Sequence, residues 1–162
     1  MFEGKLEAIF IGPTKAAPMQ QVDSAQAVAG EGLQGDRYCA GSGTFSKASV
    51  KPGNKYYPRD RQITLIEAEA LEAAARDCNV TIDPSQSRRN LIVRGVPLNH
   101  LIEREFTIGN VRIRGLRLCE PCGHLEKLTL PGIEKALLHR GGLRAEILTT
   151  GTLRSGDAVR LA

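Results

Sequence analysis

Seventeen glycines and eight prolines are scattered along the chain between short apolar runs, so the backbone turns often and no long element fits between the turns. Leu6-Glu7-Ala8-Ile9-Phe10-Ile11 reads as a strand ending at Gly12-Pro13, and 25–29 as a second strand closing at Gly30. Residues 62–66 read as a strand. Residues 67–77, almost entirely Glu, Ala, Leu and Arg, read as a helix. Thr64 and Glu67 fit a capping box, although a β-branched strand residue explains Thr64 equally well. Leu91-Ile92-Val93 is another short strand, running through Gly95 and Pro97 into a turn at 98–101. Phe106-Thr107-Ile108 meets Val111-Arg112-Ile113-Arg114 across Gly109-Asn110, two residues that tolerate the positive φ of a primed hairpin turn. Residues 133–138 read as helix, 145–148 as extended, and Ser155-Gly156-Asp157 as a turn between two closing strands.

Strands dominate, with two or three short helices inserted. The expected fold is mostly β, a small sandwich or, better, a closed or partly open β-barrel. At ~150 residues per domain, 162 residues make one domain over 1–162, without internal repeat or linker. Residues 41–61 lack periodicity and read as a long loop of the kind that often carries function.

Composition excludes several classes. No apolar run approaches the ~18–20 residues a bilayer needs, and Met1-Phe2-Glu3-Gly4-Lys5 does not open a signal peptide, so a cytoplasmic protein with no membrane partner is expected. The net charge of +4 is mild, aromatics are 4% and Trp is absent, which makes a nucleic-acid-binding barrel the weakest reading. Arginine supplies 15 of the 22 basic residues. Its planar fork suits phosphate and carboxylate, although codon usage in a GC-rich genome explains the bias equally well.

The stretch from Val111 to His124 carries the most chemistry. Alternation holds through Arg114 and slips by one at Gly115. A bulge there restores one apolar face and places Arg112, Arg114, Arg117 and Cys119 on the other. Arg112 and Arg114 also fit a solvated strand face. Cys119-Glu120-Pro121-Cys122-Gly123-His124 follows. A thioredoxin-like redox pair needs a helix after the first thiol, and none is evident in the sequence. Haem attachment fails because Gly123 displaces His124 by one place. Zinc would take Cys119, Cys122 and His124 with a fourth ligand such as Cys39, giving a non-catalytic zinc-stabilised binding module. The remaining reading is a reactive thiol near arginines, which favour the thiolate and suit it to persulfide sulfur or a soft metal. His124 either orients that thiolate or is a passive loop residue. Cys78, just past the helix, reads as a buried structural thiol, and His100 as a surface residue.

Gly32-Leu33-Gln34-Gly35-Asp36-Arg37 resembles the GLxGD motif of MOSC domains, named for the C-terminal domain of molybdenum-cofactor sulfurase. The likeness continues in order through 61–67, Arg88-Arg89-Asn90-Leu91, 117–122, His139-Arg140-Gly141-Gly142-Leu143-Arg144, and Gly151-Thr152-Leu153 with Gly156-Asp157. The resemblance, to a small stand-alone bacterial-type member, implies a mostly β barrel-like domain. It would bind the molybdenum cofactor (molybdopterin), if only transiently, or carry persulfide sulfur for metal-sulfur cluster and cofactor maturation. In small members the functional cysteine follows a proline, which matches Cys122, the implied molybdenum ligand. The pattern of larger members, with cysteine after arginine, keeps Cys119 in contention. A separate pyridoxal-phosphate cysteine desulfurase is the implied sulfur donor. The implied activities are molybdenum-dependent reduction of N-hydroxylated compounds or sulfur transfer. Asp36, Arg37, Arg88, Arg89, Asn90, His139, Arg140, Gly141 and Arg144 are the implied cofactor-binding residues. Asp36 and Arg37 could equally form a turn ion pair, and His139 could cap a helix C-terminus.

Overall fold

The computed structural model describes the backbone of residues 1–162 and the side chains of all but residue 58. In chain order the elements are β1 (Glu3–Ile11), β2 (Gln20–Val22), β3 (Ser24–Val28), β4 (Gly32–Leu33), β5 (Ile63–Glu67), α1 (Ala68–Cys78), β6 (Leu91–Arg94), β7 (Glu105–Ile108), β8 (Val111–Leu118), α2 (Gly123–Leu128), α3 (Ile133–Ala136), β9 (Leu143–Ile147), β10 (Gly151–Arg154) and β11 (Ala158–Leu161). Seven strands close a barrel in the order β1-β11-β7-β8-β9-β5-β6 and back to β1. Strand β2 is appended to β1, and β10-β3-β4 form a small second sheet. The expected barrel is thus present, and it is closed.

All neighbours around the barrel are antiparallel except β5 and β6. A parallel pair needs a crossover, and α1 lies in that connection. The helix runs over 68–78, one residue later than the sequence pattern places it. The capping box is not made. Glu67, the N-cap, makes no side-chain cap bond and instead accepts the Leu98 N–H at 2.8 Å through its carboxylate. Burial pushes the Glu67 carboxyl above its ordinary range. Asn79 ends the helix in the left-handed region at φ 54°.

Strands β7 and β8 pair from Ile108 opposite Val111, so the turn is the two-residue Gly109-Asn110, with positive φ at Gly109 alone. The bulge sits where side-chain parity places it: the β8–β9 register shifts between Gly115 and Arg117. A Cβ on Gly115 would lie 2.1 Å from the Leu101 carbonyl oxygen, which reserves that position for glycine. The barrel interior is filled by Leu6, Leu65, Leu91, Phe106, Ile113 and Leu143, all fully buried. A second core, including Ile66, Leu71, Leu125, Ile133 and Leu137, lies under the three helices on the outer wall.

Three local expectations are corrected. Cys119 does not share the exposed face of Arg112 and Arg117 but is buried, because the chain leaves the β8–β9 pairing at Leu118. A helix, α2, does follow Cys122, where none was evident. Cys78 is exposed rather than buried: it falls on the same face as the buried Leu71 and Ala74 but is the last residue of α1. Residues 41–61 contain two 3-10 turns, Lys47–Ser49 and Pro58–Arg61. Among the described residues, no helix is long and apolar enough to cross a membrane.

Candidate functional site

β5 and β6 run parallel and begin side by side, and the antiparallel β8 ends where β9 begins. The segments flanking these ends surround a cleft of about 720 Å³, counting the part open to solvent. Arg37, Arg61, Arg88, Arg89 and Arg144 line it together with Cys119, Cys122 and His124. Against Asp60 and Glu120, these five guanidinium groups leave the lining with a net charge of three positive. A concave site carrying one sign of charge concentrates anions.

Asp36 is 1% exposed and anchors this end of the structure. Its Oδ1 accepts from the Gly12 N–H at 2.8 Å, from Arg37 Nη1 at 3.3 Å and from Asn90 Nδ2 at 3.3 Å, while Oδ2 accepts the Tyr38 N–H at 3.1 Å. A Cβ on Gly12 would lie 2.3 Å from Arg37 Nη1, so glycine there admits the buried guanidinium. Asn90 carries the network into the barrel: its Oδ1 accepts the Thr64 N–H at 3.1 Å and its Nδ2 donates to the Phe10 carbonyl at 3.2 Å. Asp36 therefore sets the shape of the site from behind it, and Asn90 from its wall.

Arg88 and Arg89 are adjacent in sequence yet serve different walls. A 3-10 turn, Pro84–Ser87, is closed by a capping box between Asp83 and Gln86 and ends with Arg88 in the left-handed region at φ 57°. That backbone reversal sends Arg88 Nη1 to the Ala17 carbonyl at 2.7 Å. Burial, with Arg37 nearby, pulls the Arg88 pKa below its ordinary value. Arg89 instead donates from Nε to the Gly141 carbonyl at 2.8 Å and from Nη2 to the Cys119 carbonyl at 2.9 Å. The Cys119 N–H donates to the Gly142 carbonyl at 2.7 Å, and a Cβ on Gly141 would sit 2.5 Å from the Cys119 carbonyl oxygen. Arg89 and Gly141 thus clamp the cysteine loop to the start of β9.

Cys122 is exposed and forms the N-cap of α2, its carbonyl accepting the Glu126 N–H at 3.2 Å. Cys119 borders the same cleft but is only 1% exposed. The His124 ring meets Phe45 edge to face, with centroids 6.2 Å apart. Cys39 is half-buried, and its thiol is pushed up by burial, then by Glu31 and Asp36. It does not line the cleft with Cys119, Cys122 and His124. Among the described residues no group of three His, Cys, Asp or Glu side chains is placed to hold a metal ion. The four-ligand zinc set expected from the sequence is therefore not assembled.

Two implied cofactor-binding residues point elsewhere. Arg140 donates from Nε to Ala136 at 2.8 Å and from Nη1 to Asp77 at 2.9 Å, and its Nη2 lies 3.8 Å from Cys78 Sγ. It packs at the end of α1, outside the cleft. His139 is exposed, at φ 62°, with Nδ1 3.6 Å from Glu120 Oε1. Conversely, Arg61 and Phe45 line the cleft and were not singled out in the sequence. Arg61 stands at the head of the 61–67 motif, so a signal for it existed. Phe45 lies in aperiodic chain and had none.

Arg61 lies 5.1 Å from the centre of the Phe45 ring, within cation–π range. Burial, then the charges of Arg144 and Arg117, lower its pKa. Arg117 Nε donates to Asp60 Oδ2 at 2.6 Å, and Arg144 Nη1 to the Asp60 carbonyl at 3.3 Å. The Nε atoms of Arg61 and Arg144 are buried without a hydrogen-bond partner.

A family model described as the MOSC domain matches residues 29–160. Among solved structures, the YuaD protein from Bacillus subtilis superposes with a TM-score of 0.80 at 20% identity, covering 98% of this chain and 97% of that one. YiiM from Geobacillus stearothermophilus gives 0.69 at 14%, over 98% of this chain and 75% of that one. YiiM from Escherichia coli gives 0.64 at 17%, over 100% and 70%. At these identities the likeness is one of fold. Comparison with curated protein sequences gives no match.

Proposed function

The chain belongs to the MOSC domain family, which is associated with molybdenum-cofactor binding or sulfurase-related function, and from that premise we propose that the basic cleft holds the molybdenum cofactor, with the Cys122 thiolate as protein ligand to the metal. One observation carries this reading: a solvent-reachable thiol and five arginines line a single cleft. A persulfide alone is one sulfur atom with one charge and needs no such wall. A pterin bearing a phosphate and a dithiolene is anionic, and it matches the positive charge of the cleft.

The molybdenum, when bound, supplies two-electron redox chemistry. Cys122 offers a soft ligand suited to that metal. Arg89 holds the loop carrying both cysteines against Gly141. Arg88 adds positive charge, and His124 with Phe45 walls the cysteine side.

The exposure of Cys122 supports a second reading, sulfur carriage, because a thiol at the cleft mouth is open to a donor protein. In that step the Cys122 thiolate attacks the outer sulfur of a donor cysteine persulfide. A new S–S bond forms as the donor's breaks, and the donor leaves as a thiolate. A separate pyridoxal-phosphate cysteine desulfurase is the donor class this chemistry calls for.

Elemental analysis and intact mass of freshly purified protein separate the two. Stoichiometric molybdenum with pterin is expected for cofactor binding, and a metal-free persulfide adduct for the carrier. Cys122→Ser should abolish retention and leave the fold intact, while Cys119→Ser retains the group. Retention that survives Cys122→Ser sinks both versions.

A further inference from the structure

We propose that residues 44–61 form a second binding site, a hollow beside the cleft that takes a planar aromatic ring carrying an acidic group. Phe45, Lys51, Lys55, Tyr56, Tyr57 and Arg61 line it, with smaller residues between them. Thr44, Phe45 and Arg61 also line the cleft, so the two share a wall. The proposal needs no cofactor in the cleft. It gives a role to the long aperiodic stretch that the cysteine chemistry does not use.

The segment is folded on itself and fastened at both ends. Ser46 is 2% exposed, and its Oγ accepts the Gly43 N–H at 2.8 Å, while Ser49 Oγ donates to the Gly43 carbonyl at 3.1 Å. Gly43 also seats the Tyr38 ring, since a Cβ there would lie 2.5 Å from it. At the far end the Asp60 N–H donates to the Tyr57 carbonyl at 3.1 Å within the 3-10 turn Pro58–Arg61. Arg59 Nε donates to Glu146 at 3.0 Å and ties that turn to β9. The lining therefore exists before a ligand arrives, which lowers the ordering cost of binding.

The chemistry of the lining names the ligand class. The chain has four Phe, three Tyr and no Trp, and three of these rings line this one hollow. Phe10 and Phe106 fill cores, whereas Phe45 is 39% and Tyr57 51% exposed. A flat ring laid against them removes that apolar surface from water and stacks on it. Charge supplies the second half. No acidic residue lies between Asp36 and Asp60, and no carboxylate lines the hollow. Arg59 is taken up by Glu146, and Arg61 is laid on the Phe45 ring 5.1 Å from its centre, where it stiffens the shared wall. Lys51 and Lys55 are left to meet the ligand. An ammonium is a point charge without the fork of arginine, so it attracts an acidic group while the ring sets the orientation. A neutral ring leaves both lysines unmet, and a bare anion leaves the aromatic surface wet. One ligand with both parts satisfies the whole lining.

Amide NMR shifts on titrating the full chain with 2-naphthoate test the proposal. Saturable shifts are expected within 44–57. Cyclohexanecarboxylate, which has the charge without the aromatic ring, and 2-naphthylmethanol, which has the ring without the charge, should each bind at least about threefold more weakly. Inorganic phosphate at equal concentration should not displace the naphthoate. Tyr57→Leu should weaken binding about threefold to tenfold, the range of one aromatic contact, and Tyr57→Phe should bind as wild type does. Lys51→Ala and Lys55→Ala together should weaken it about fivefold or more at low salt. Arg88→Ala, in the cleft and outside the hollow, should leave it unchanged. Tyr57 and both lysines are exposed, so these variants should keep the fold, which circular dichroism checks. Absence of saturable shifts in the wild-type chain, equal binding of either half-probe, displacement by phosphate, or loss in Arg88→Ala overturns the proposal. The cofactor reading falls or stands separately. Naphthoate binding by a chain that retains neither molybdenum nor persulfide would sink that reading and leave this site standing, and retained molybdenum without naphthoate binding would do the reverse.

Discussion

On the outer wall of the barrel, Arg94 bonds Glu7 and Glu72, Arg112 and Arg114 share Glu105, and Arg160 bonds Glu3. Each positive charge there meets a carboxylate, and the bonded arginines hold Glu3, Glu72 and Glu105 below the ordinary carboxylate range. In the cleft, Arg88, Arg89 and Arg144 donate to backbone carbonyls instead. A carbonyl satisfies a hydrogen bond without cancelling the charge. The same residue type is thus neutralised on the wall and held charged in the cleft. The difference teaches that arginine content says little about anion binding until the acceptor of each guanidinium is known.

Asp36 is the exception inside the cleft end, a buried carboxylate that does neutralise its arginine, and it offers the strongest way to break the contrast. Asp36→Ala should destabilise the protein by about 3–5 kcal/mol, because it strands a buried guanidinium and orphans the Gly12 and Tyr38 N–H groups. Urea denaturation measures this, and a loss below about 1 kcal/mol would show that the network tolerates substitution of its centre.

Arg89→Ala should cost less, about 2–3 kcal/mol, since two charge-assisted bonds to buried carbonyls are lost but no charge is stranded. Hydrogen exchange at the Cys119 amide should quicken as the clamp opens. Arg112→Ala on the wall should leave the urea midpoint within error, as exposed ion pairs contribute little. Equal effects from Arg89 and Arg112 would erase the distinction between the two regions.

The smallest expected effect is a titration at the end of α1. Asp77 is held at about 2, below its ordinary 3.8, by hydrogen bonds from Arg76 and Arg140. A depressed folded-state carboxyl contributes stability that is present above 3.8 and is lost as pH falls toward 2. Arg140→Ala should move the Asp77 titration upward, followed by carboxyl NMR. An unmoved midpoint would show that Arg140 is not held there in solution.

The hairpin at Gly109-Asn110, the bulge at Gly115, the β5–α1 succession and a mostly β fold were all legible in the chain, because each follows from alternation, propensity or turn chemistry within about ten residues. The short helix after Cys122 escaped, being six residues long and opened by a glycine with no capping side chain. Cys78 was misjudged because cysteine type says nothing about whether the core reaches as far as the end of α1.

For the candidate site, local sequence determined that arginine, glycine and two cysteines lie beside strand ends. Closure of the barrel decided which of them meet. Arg61, Arg89 and Arg144 converge because β5 sits between β9 and β6, while Arg140, four residues before Arg144, is carried to α1. Backbone pattern is written by neighbours in sequence, whereas the acceptor of a long, flexible guanidinium is chosen by whatever the fold places within about 3 Å of it.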